Sequence, residues 1–187
     1  MADNRRNLRQ ADLSGQNLDD ANLSGADLTG ASLEGANLRR ADLCSAKLVR
    51  TNLFGANLGE ADLSRADLTR ADLTDADLHD SYMIKATGQY ANLWHANLRR
   101  ANLRHTNLRQ ANLADADLYQ ADLAGADLSG ANLSRADLQW CTLTNADLTD
   151  ANLDKANLCG ADLTGARGLD LPASARTDKD TILEQPV

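Results

Sequence analysis

The sequence predicts an all-β solenoid, a coil that turns once per short repeat, and three observations carry the prediction. Leucine recurs in steps of five from Leu8 to Leu163, departing only at Met83 and Gly88. Alanine stands two residues before nearly every leucine, replaced by small or polar residues such as Gln16, Thr51, Ser81, Thr106 and Cys141. Asp or Asn fills most positions between them, and Gly, Ser, Thr and Arg are common in the two that follow, as in Ala121-Asp122-Leu123-Ala124-Gly125.

Neither regular element suits this period. On an α-helix a step of five rotates by about 140°, which scatters the leucines around the cylinder. On a flat strand an odd step sends successive leucines to opposite faces. The chain must therefore turn once per repeat, so that each leucine points to a common axis and the repeats bury their faces by stacking. Alanine at the other inward position keeps the corner from overpacking. The Asp or Asn between them is suited to bonding its own backbone in an Asx turn, and the last two positions suit exposed turns.

These residues resemble the pentapeptide repeat family, over a stretch from about residue 6 to 165. The resemblance implies a right-handed quadrilateral β-helix with four pentapeptides per coil, hence about eight coils and a rod roughly 38 Å long at about 4.8 Å per stacked strand. The expected organisation is a lead-in at 1–5, the β-helix at 6–165 and a capping tail at 166–187. Leu8 is already in register with no apolar cap before it, so the first coil is expected to meet a second copy of itself or another partner.

Residues 6–80 are regular. At Ser81–Tyr90 the register holds while Gly88 replaces a leucine and Tyr82 and Thr87 replace Asp/Asn. Two readings stand: a coil with a bulge or small void at Gly88, or a recognition bump in mid-rod. The regular ladder resumes over 111–165, where Trp140 takes an outward position. After Gly165, Leu169, Leu171, Ile182 and Leu183 offer apolar surface to fold over the last coil, with Glu184–Val187 expected to be loose.

Composition narrows the function. Aromatics make up 3%, too few for an ordinary globular core, and the formal net charge of −8 argues against direct nucleic-acid binding. There is no apolar run near the length of a membrane span and no signal-peptide core in Met1–Gln10, so a cytoplasmic location is expected. Cys44 and Cys159 are outward and far apart, Cys141 is inward, and no disulfide is expected. No C-x-x-C, G-x-S-x-G, phosphate-binding glycine loop or H-E-x-x-H is present, and the Asp/Asn series alternates too freely to gather calcium oxygens. The chain is therefore read as no enzyme, with no cofactor and no metal.

Charge is unevenly placed. From Ser81 to Gln110 there is no Asp or Glu, while Lys85, Arg99, Arg100, Arg104 and Arg109 give +5, leaving −13 for the remainder. With Tyr90 and Trp94 these arginines form a basic girdle with the composition of an interaction hot spot, suited to an acidic protein partner. The opposing reading pairs them with Asp75, Asp80, Asp115 and Asp117 in neighbouring coils as solvated surface pairs. At twenty residues per coil Trp94 follows Thr74 and Phe54 on one wall, and Tyr119 is expected on the next wall but one from Arg99. The primary functional reading is a non-catalytic protein–protein interaction scaffold. The alternative comes from the resemblance alone, since some pentapeptide repeat proteins mimic duplex DNA and modulate DNA gyrase or topoisomerase. Three features stand against it here: the girdle, the lack of an inserted loop, and the all-leucine centre.

Overall fold

The computed structural model describes residues 6–183, so the lead-in at 1–5 and Glu184–Val187 lie outside the described residues. Parallel bridges join second-position residues to those twenty residues on, from Asn7 and Asp27 to Asp147 and Arg167, and Asn157 and Asp162 bridge to Arg176 and Ile182 in the tail. One coil is thus four pentapeptides with four walls. Wall 1 starts at Arg6–Leu8, wall 2 at Ala11–Leu13, wall 3 at Gln16–Leu18 and wall 4 at Ala21–Leu23, each recurring every twenty residues. Within a pentapeptide the first three positions form the wall and the last two the corner.

The repeat assigns every backbone N–H a partner, which a buried coil requires. The first-position N–H donates to the preceding third-position carbonyl across the turn, as from Ala26 to Leu23 at 3.0 Å. The second donates to the coil before, from Asp42 to the carbonyl of Ala21 at 2.9 Å. The third and fifth donate to the coil after, from Leu23 to Asp42 at 2.7 Å and from Gly25 to Cys44 at 2.8 Å. The fourth has no backbone acceptor, and the second-position side chain supplies one. At every second-position Asp or Asn from Asn7 to Asp162, Oδ1 accepts the N–H two residues on. The predicted Asx turn is present, and it explains why this position is Asp or Asn.

Every fifth position from Gln10 to Gly165 has positive φ, and with the Leu-to-Ala turn bond this is the pattern of a type II turn. Non-glycine residues hold this conformation at a cost of roughly 1 kcal/mol each, which the ladder on both sides offsets. Leucines from Leu28 to Leu163 and the first-position alanines between them fill the interior, almost all at 0–2% exposure. Leu8, Leu13 and Leu18 of the first coil are only partly buried against this core.

The two corner positions differ. Fifth-position side chains mostly stand in solvent, while several small fourth-position residues lie back against the wall: Thr74, Ala114, Ala124, Ser129 and Ser134 are buried, although Ser14 and Ser24 near the first coil are exposed. The expectation that these two positions are equally outward is corrected by this, because the type II turn tips its second residue over the strand of the next coil.

The irregular coil contains no bulge. Bridges run unbroken through Tyr82 and Thr87, and Gly88 keeps its ladder bond to the carbonyl of Asn107 at 2.7 Å. Leu108 of the next coil stands close to it, its Cδ2 3.0 Å from where a Cβ on Gly88 would be. What this coil loses is polar. The Ser81 hydroxyl is buried without a partner, whereas Thr51 and Thr106 at the same position donate to Leu28 and Met83 carbonyls at 2.9 Å.

Past Gly165 the tail extends the ladder. Arg167, Arg176 and Ile182 bridge to Asp147, Asn157 and Asp162, and Leu169, Leu171 and Ala175 pack against the core. Thr181 repeats the inward hydroxyl bond, to Leu158 O at 3.1 Å.

Two outcomes test this accounting in chemical denaturation. Leu123→Ala is expected to cost about 2–5 kcal/mol and Ala121→Leu about 1–3 kcal/mol; near-neutral values for both would refute the inward assignment. Thr87→Asn adds the missing acceptor for the Gln89 N–H and is expected to stabilise by about 0.5–1.5 kcal/mol.

Candidate functional site

The six residues of the girdle occupy one turn of the rod and all four corners. Tyr90 and Arg109 lie at the corner between walls 1 and 2, in successive coils, and Trp94 lies between walls 2 and 3. Arg99 and Arg100 lie between walls 3 and 4, and Arg104 between walls 4 and 1. A flat partner surface meets at most two of these corners at once.

Each girdle arginine already holds a carboxylate, through two kinds of rung. A fourth-position arginine reaches the second-position Asp eighteen residues on: Arg99 to Asp117 at 3.0 Å, Arg104 to Asp122 at 3.0 Å and Arg109 to Asp127 at 3.3 Å. A fifth-position arginine grips the fifth-position Asp of the coil before with two nitrogens. Nε of Arg100 donates to Asp80 at 2.8 Å, of Arg40 to Asp20 at 2.7 Å and of Arg135 to Asp115 at 2.6 Å. Two of the four carboxylates named for the opposing reading, Asp80 and Asp117, serve girdle arginines. Asp75 instead meets His95 Nδ1 at 2.5 Å, and Asp115 takes Arg135 and the Trp94 indole N–H at 3.0 Å. The guanidinium bonds hold the carboxyls of Asp20, Asp80 and Asp115 below the ordinary carboxylate range.

The aromatics are less committed. Tyr90 is 56% exposed, with the Arg70 guanidinium 5.6 Å from its ring centre, and Trp94 is 42% exposed beside the tilted ring of His95. Tyr119 lies on the same wall as Arg99, one coil on, with the guanidinium 4.5 Å from its ring centre; the expected placement two walls away is corrected by the twenty-residue register. Trp140 reclines over Gly160, whose added Cβ would fall 2.5 Å from the indole.

Between Tyr90 and Trp94, wall 2 carries an amide ladder. Nδ2 of Asn112 donates to Asn92 at 2.8 Å, and Asn132 and Asn152 continue the chain at 3.2 Å each. Every Oδ1 in it also holds a turn N–H, so the ladder presents no spare base or nucleophile. An open groove of about 490 Å³ lies between Arg40, Glu60, Asp80 and Tyr82, with Glu60 paired to Arg39 and Asp80 to Arg100. Burial pushes the Cys141 thiol far up from its ordinary value. Among the described residues no group of His, Cys, Asp and Glu is arranged to hold a metal ion.

Reading charge along the chain grouped residues that the coil separates, and it missed those that the coil stacks. Steps of twenty find the Asp80 partner of Arg100 and the cations with no such Asp, while the Asp117, Asp122 and Asp127 partners of Arg99, Arg104 and Arg109 lie at a step of eighteen.

Comparison with known proteins agrees with this geometry. A family model described as pentapeptide repeats matches residues 7–44, 46–83, 89–123, 106–150 and 141–167. HetL, a pentapeptide repeat protein involved in heterocyst differentiation regulation from the cyanobacterium Nostoc sp. strain PCC 7120, is 35% identical over 96% of this chain and 86% of that one, with a TM-score of 0.43. Rfr23 from the cyanobacterium Cyanothece 51142 is 30% identical over 70% of this chain and 90% of its own, with a TM-score of 0.38. QnrB1, a plasmid-mediated fluoroquinolone resistance protein, is 21% identical over 93% of this chain and 88% of its own, with a TM-score of 0.69, a likeness of fold. No curated protein sequence matches the chain.

The rungs make stability depend on pH. Because the folded carboxyls of Asp20, Asp80 and Asp115 sit below their unfolded values, their stabilisation is complete above the unfolded value, about 3.9. It is lost as pH falls through the folded values. Denaturation midpoints are expected to drop between about pH 5 and pH 2, and to drop less steeply in an Asp80→Asn, Asp115→Asn variant.

Proposed function

The chain belongs to the pentapeptide repeat family, and from that premise we propose that it is a non-catalytic scaffold that binds a protein partner through its outward side chains. The fold of the family's solved members is the right-handed quadrilateral β-helix, and on this chain we take it to run for eight coils. One observation carries the reading. The interior is filled by leucine and alanine, and the repeat spends its own N–H groups, so only the corner side chains are free to vary in chemistry. A rigid rod of this kind presents a preorganised surface and orders little on binding.

Tyr90 and Trp94 are the anchors this reading favours, as exposed aromatics on either side of the neutral wall around Asn92. The girdle arginines contribute charge already balanced by Asp80, Asp117, Asp122 and Asp127. The DNA-mimic alternative draws support from the shared fold with QnrB1. It asks for an unbroken acidic wall, and each wall is interrupted: wall 4 carries Asp42 and Asp62, then Tyr82 and Asn102, then Asp122.

The test is quantitative capture of partners from soluble lysate with three proteins: native, Tyr90→Ala with Trp94→Ala, and Arg99→Ala with Arg100→Ala and Arg104→Ala. A protein held by the native rod is expected to lose at least about 2 kcal/mol of affinity in the aromatic variant and little in the arginine variant. Enrichment of gyrase or topoisomerase subunits would favour the alternative, and loss only in the arginine variant would return the site to the girdle.

A further inference from the structure

We infer that wall 1 of the middle coils is a docking strip for an acidic, extended polypeptide segment of a partner, an inference that rests on the scaffold reading and adds the partner's chemistry. The rungs described above define which cations are spent. A fifth-position arginine is neutralised where the fifth position twenty residues earlier is Asp, as at Asp20, Asp80 and Asp115. The two columns that border wall 1 contain no such Asp in these coils. One reads Gly30, Arg50, Arg70, Tyr90; the other reads Gly25, Ser45, Arg65, Lys85, His105.

Arg50, Arg65, Arg70 and Lys85 accordingly have no carboxylate within salt-bridge distance among the described residues, and neither does Lys47 in the middle of the same wall. All five are exposed. Arg50 stacks on Arg70 and Arg65 on Lys85 in adjacent coils, at the strand spacing of about 4.8 Å. Like charges so placed repel each other, and the Tyr90 ring faces Arg70. The one carboxylate among them, Asp67, takes the Thr69 N–H at 3.0 Å and the Thr69 hydroxyl at 2.6 Å on Oδ1 and is within salt-bridge distance of none of the five, so its charge offsets one of them and the strip stays strongly positive. A protein of net charge −8 therefore gathers five of its unspent cations on one wall, with Lys155 and Arg176 unspent elsewhere among the described residues.

Charge complementarity selects an anion, and the width of the strip selects its kind. Asp62 on wall 4 and Asp72 on wall 2 flank the strip, so a broad polyanion such as duplex DNA would overlie carboxylates on both sides. A single extended chain is narrow enough to stay on the wall. Its same-face carboxylates recur at about 6.6 Å, twice the strand rise, so two of them fall within the roughly 10 Å between the first and third cation rows.

The experiment is fluorescence anisotropy with the full chain and a fluorescein-labelled peptide of alternating glutamate and serine, about twelve residues long, which at about 3.3 Å per residue covers the three cation-bearing coils with residues to spare at both ends. The wall variant carries Arg50→Gln, Arg65→Gln, Arg70→Gln and Lys85→Gln; glutamine already occupies this position natively at Gln10, Gln110 and Gln120. The control carries Arg99→Gln, Arg100→Gln and Arg104→Gln. Binding by the native protein is expected to weaken steeply as salt rises toward about 0.5 M. The wall variant is expected to lose at least about tenfold in affinity while the control stays within about twofold, with thermal melts confirming that both remain folded.

Absence of binding by the native protein, or an equal loss in the control, would overturn the inference. So would tighter binding of duplex DNA of matched charge, which would make the wall a nucleic-acid surface. Sedimentation showing a native dimer that the wall variant dissolves would give the wall to a second copy of the chain, and would likewise overturn it. If lysate capture still depends on Tyr90 and Trp94 while the peptide fails to bind, the scaffold reading stands and the acidic-segment inference alone falls.

Discussion

The structure depends on a single side-chain bond repeated at nearly every corner, from the Asp or Asn carboxyl or amide oxygen to the N–H two residues on. Four of the five N–H groups in a pentapeptide find carbonyls in the turn or in neighbouring coils. The fourth-position N–H finds none, and leaving it unpaired beside a buried strand would cost free energy at each corner. Asp and Asn have the right reach to close it, and so the residue that links alanine to leucine is chosen by the backbone rather than by solvent or a ligand. The left-handed fifth position and the short strands follow, because the turn that the bond supports reverses too tightly for a longer element.

Because the backbone accounts for itself, departures from the repeat are local. Lys47, Tyr82 and Thr87 cannot make the corner bond, yet the bridges through them are continuous. Gly88 removes a leucine from the axis, and Leu108 in the next coil reaches to 3.0 Å from where its Cβ would be. A stacked rod takes up such defects over one coil, where a globular core would redistribute them over many contacts.

The same stacking governs electrostatics. Residues close in sequence at one corner face different directions from those at the next, while residues twenty apart touch. The arginines between Arg99 and Arg109 look like a concentrated positive region along the chain, and the coil disperses them to separate corners against Asp80, Asp117, Asp122 and Asp127. Arg50, Arg65 and Arg70 are interleaved with acidic residues in sequence and Lys85 opens the acid-free stretch, and the coil draws all four to one wall. Solvent screening makes the paired rungs weak individually, so their main effect is to decide which charges are left to face a partner.

The sequence by itself determined the coil. A five-residue period in leucine, with a small inward partner and a turn-forming polar residue between, is compatible with neither helix nor flat strand, and this could be read without coordinates. It also determined that Cys141 is inward and that Trp94 and Tyr90 are outward. Only the tertiary structure decided how the outward residues group, because that depends on which corners coincide after twenty residues and on how far each side chain reaches. The pairing of Arg100 with Asp80, the stacking of Arg99 on Tyr119, the burial of Ser129 and the approach of Leu108 to Gly88 all act between coils. One-dimensional adjacency does not represent that direction, and it is the direction in which this rod makes its contacts.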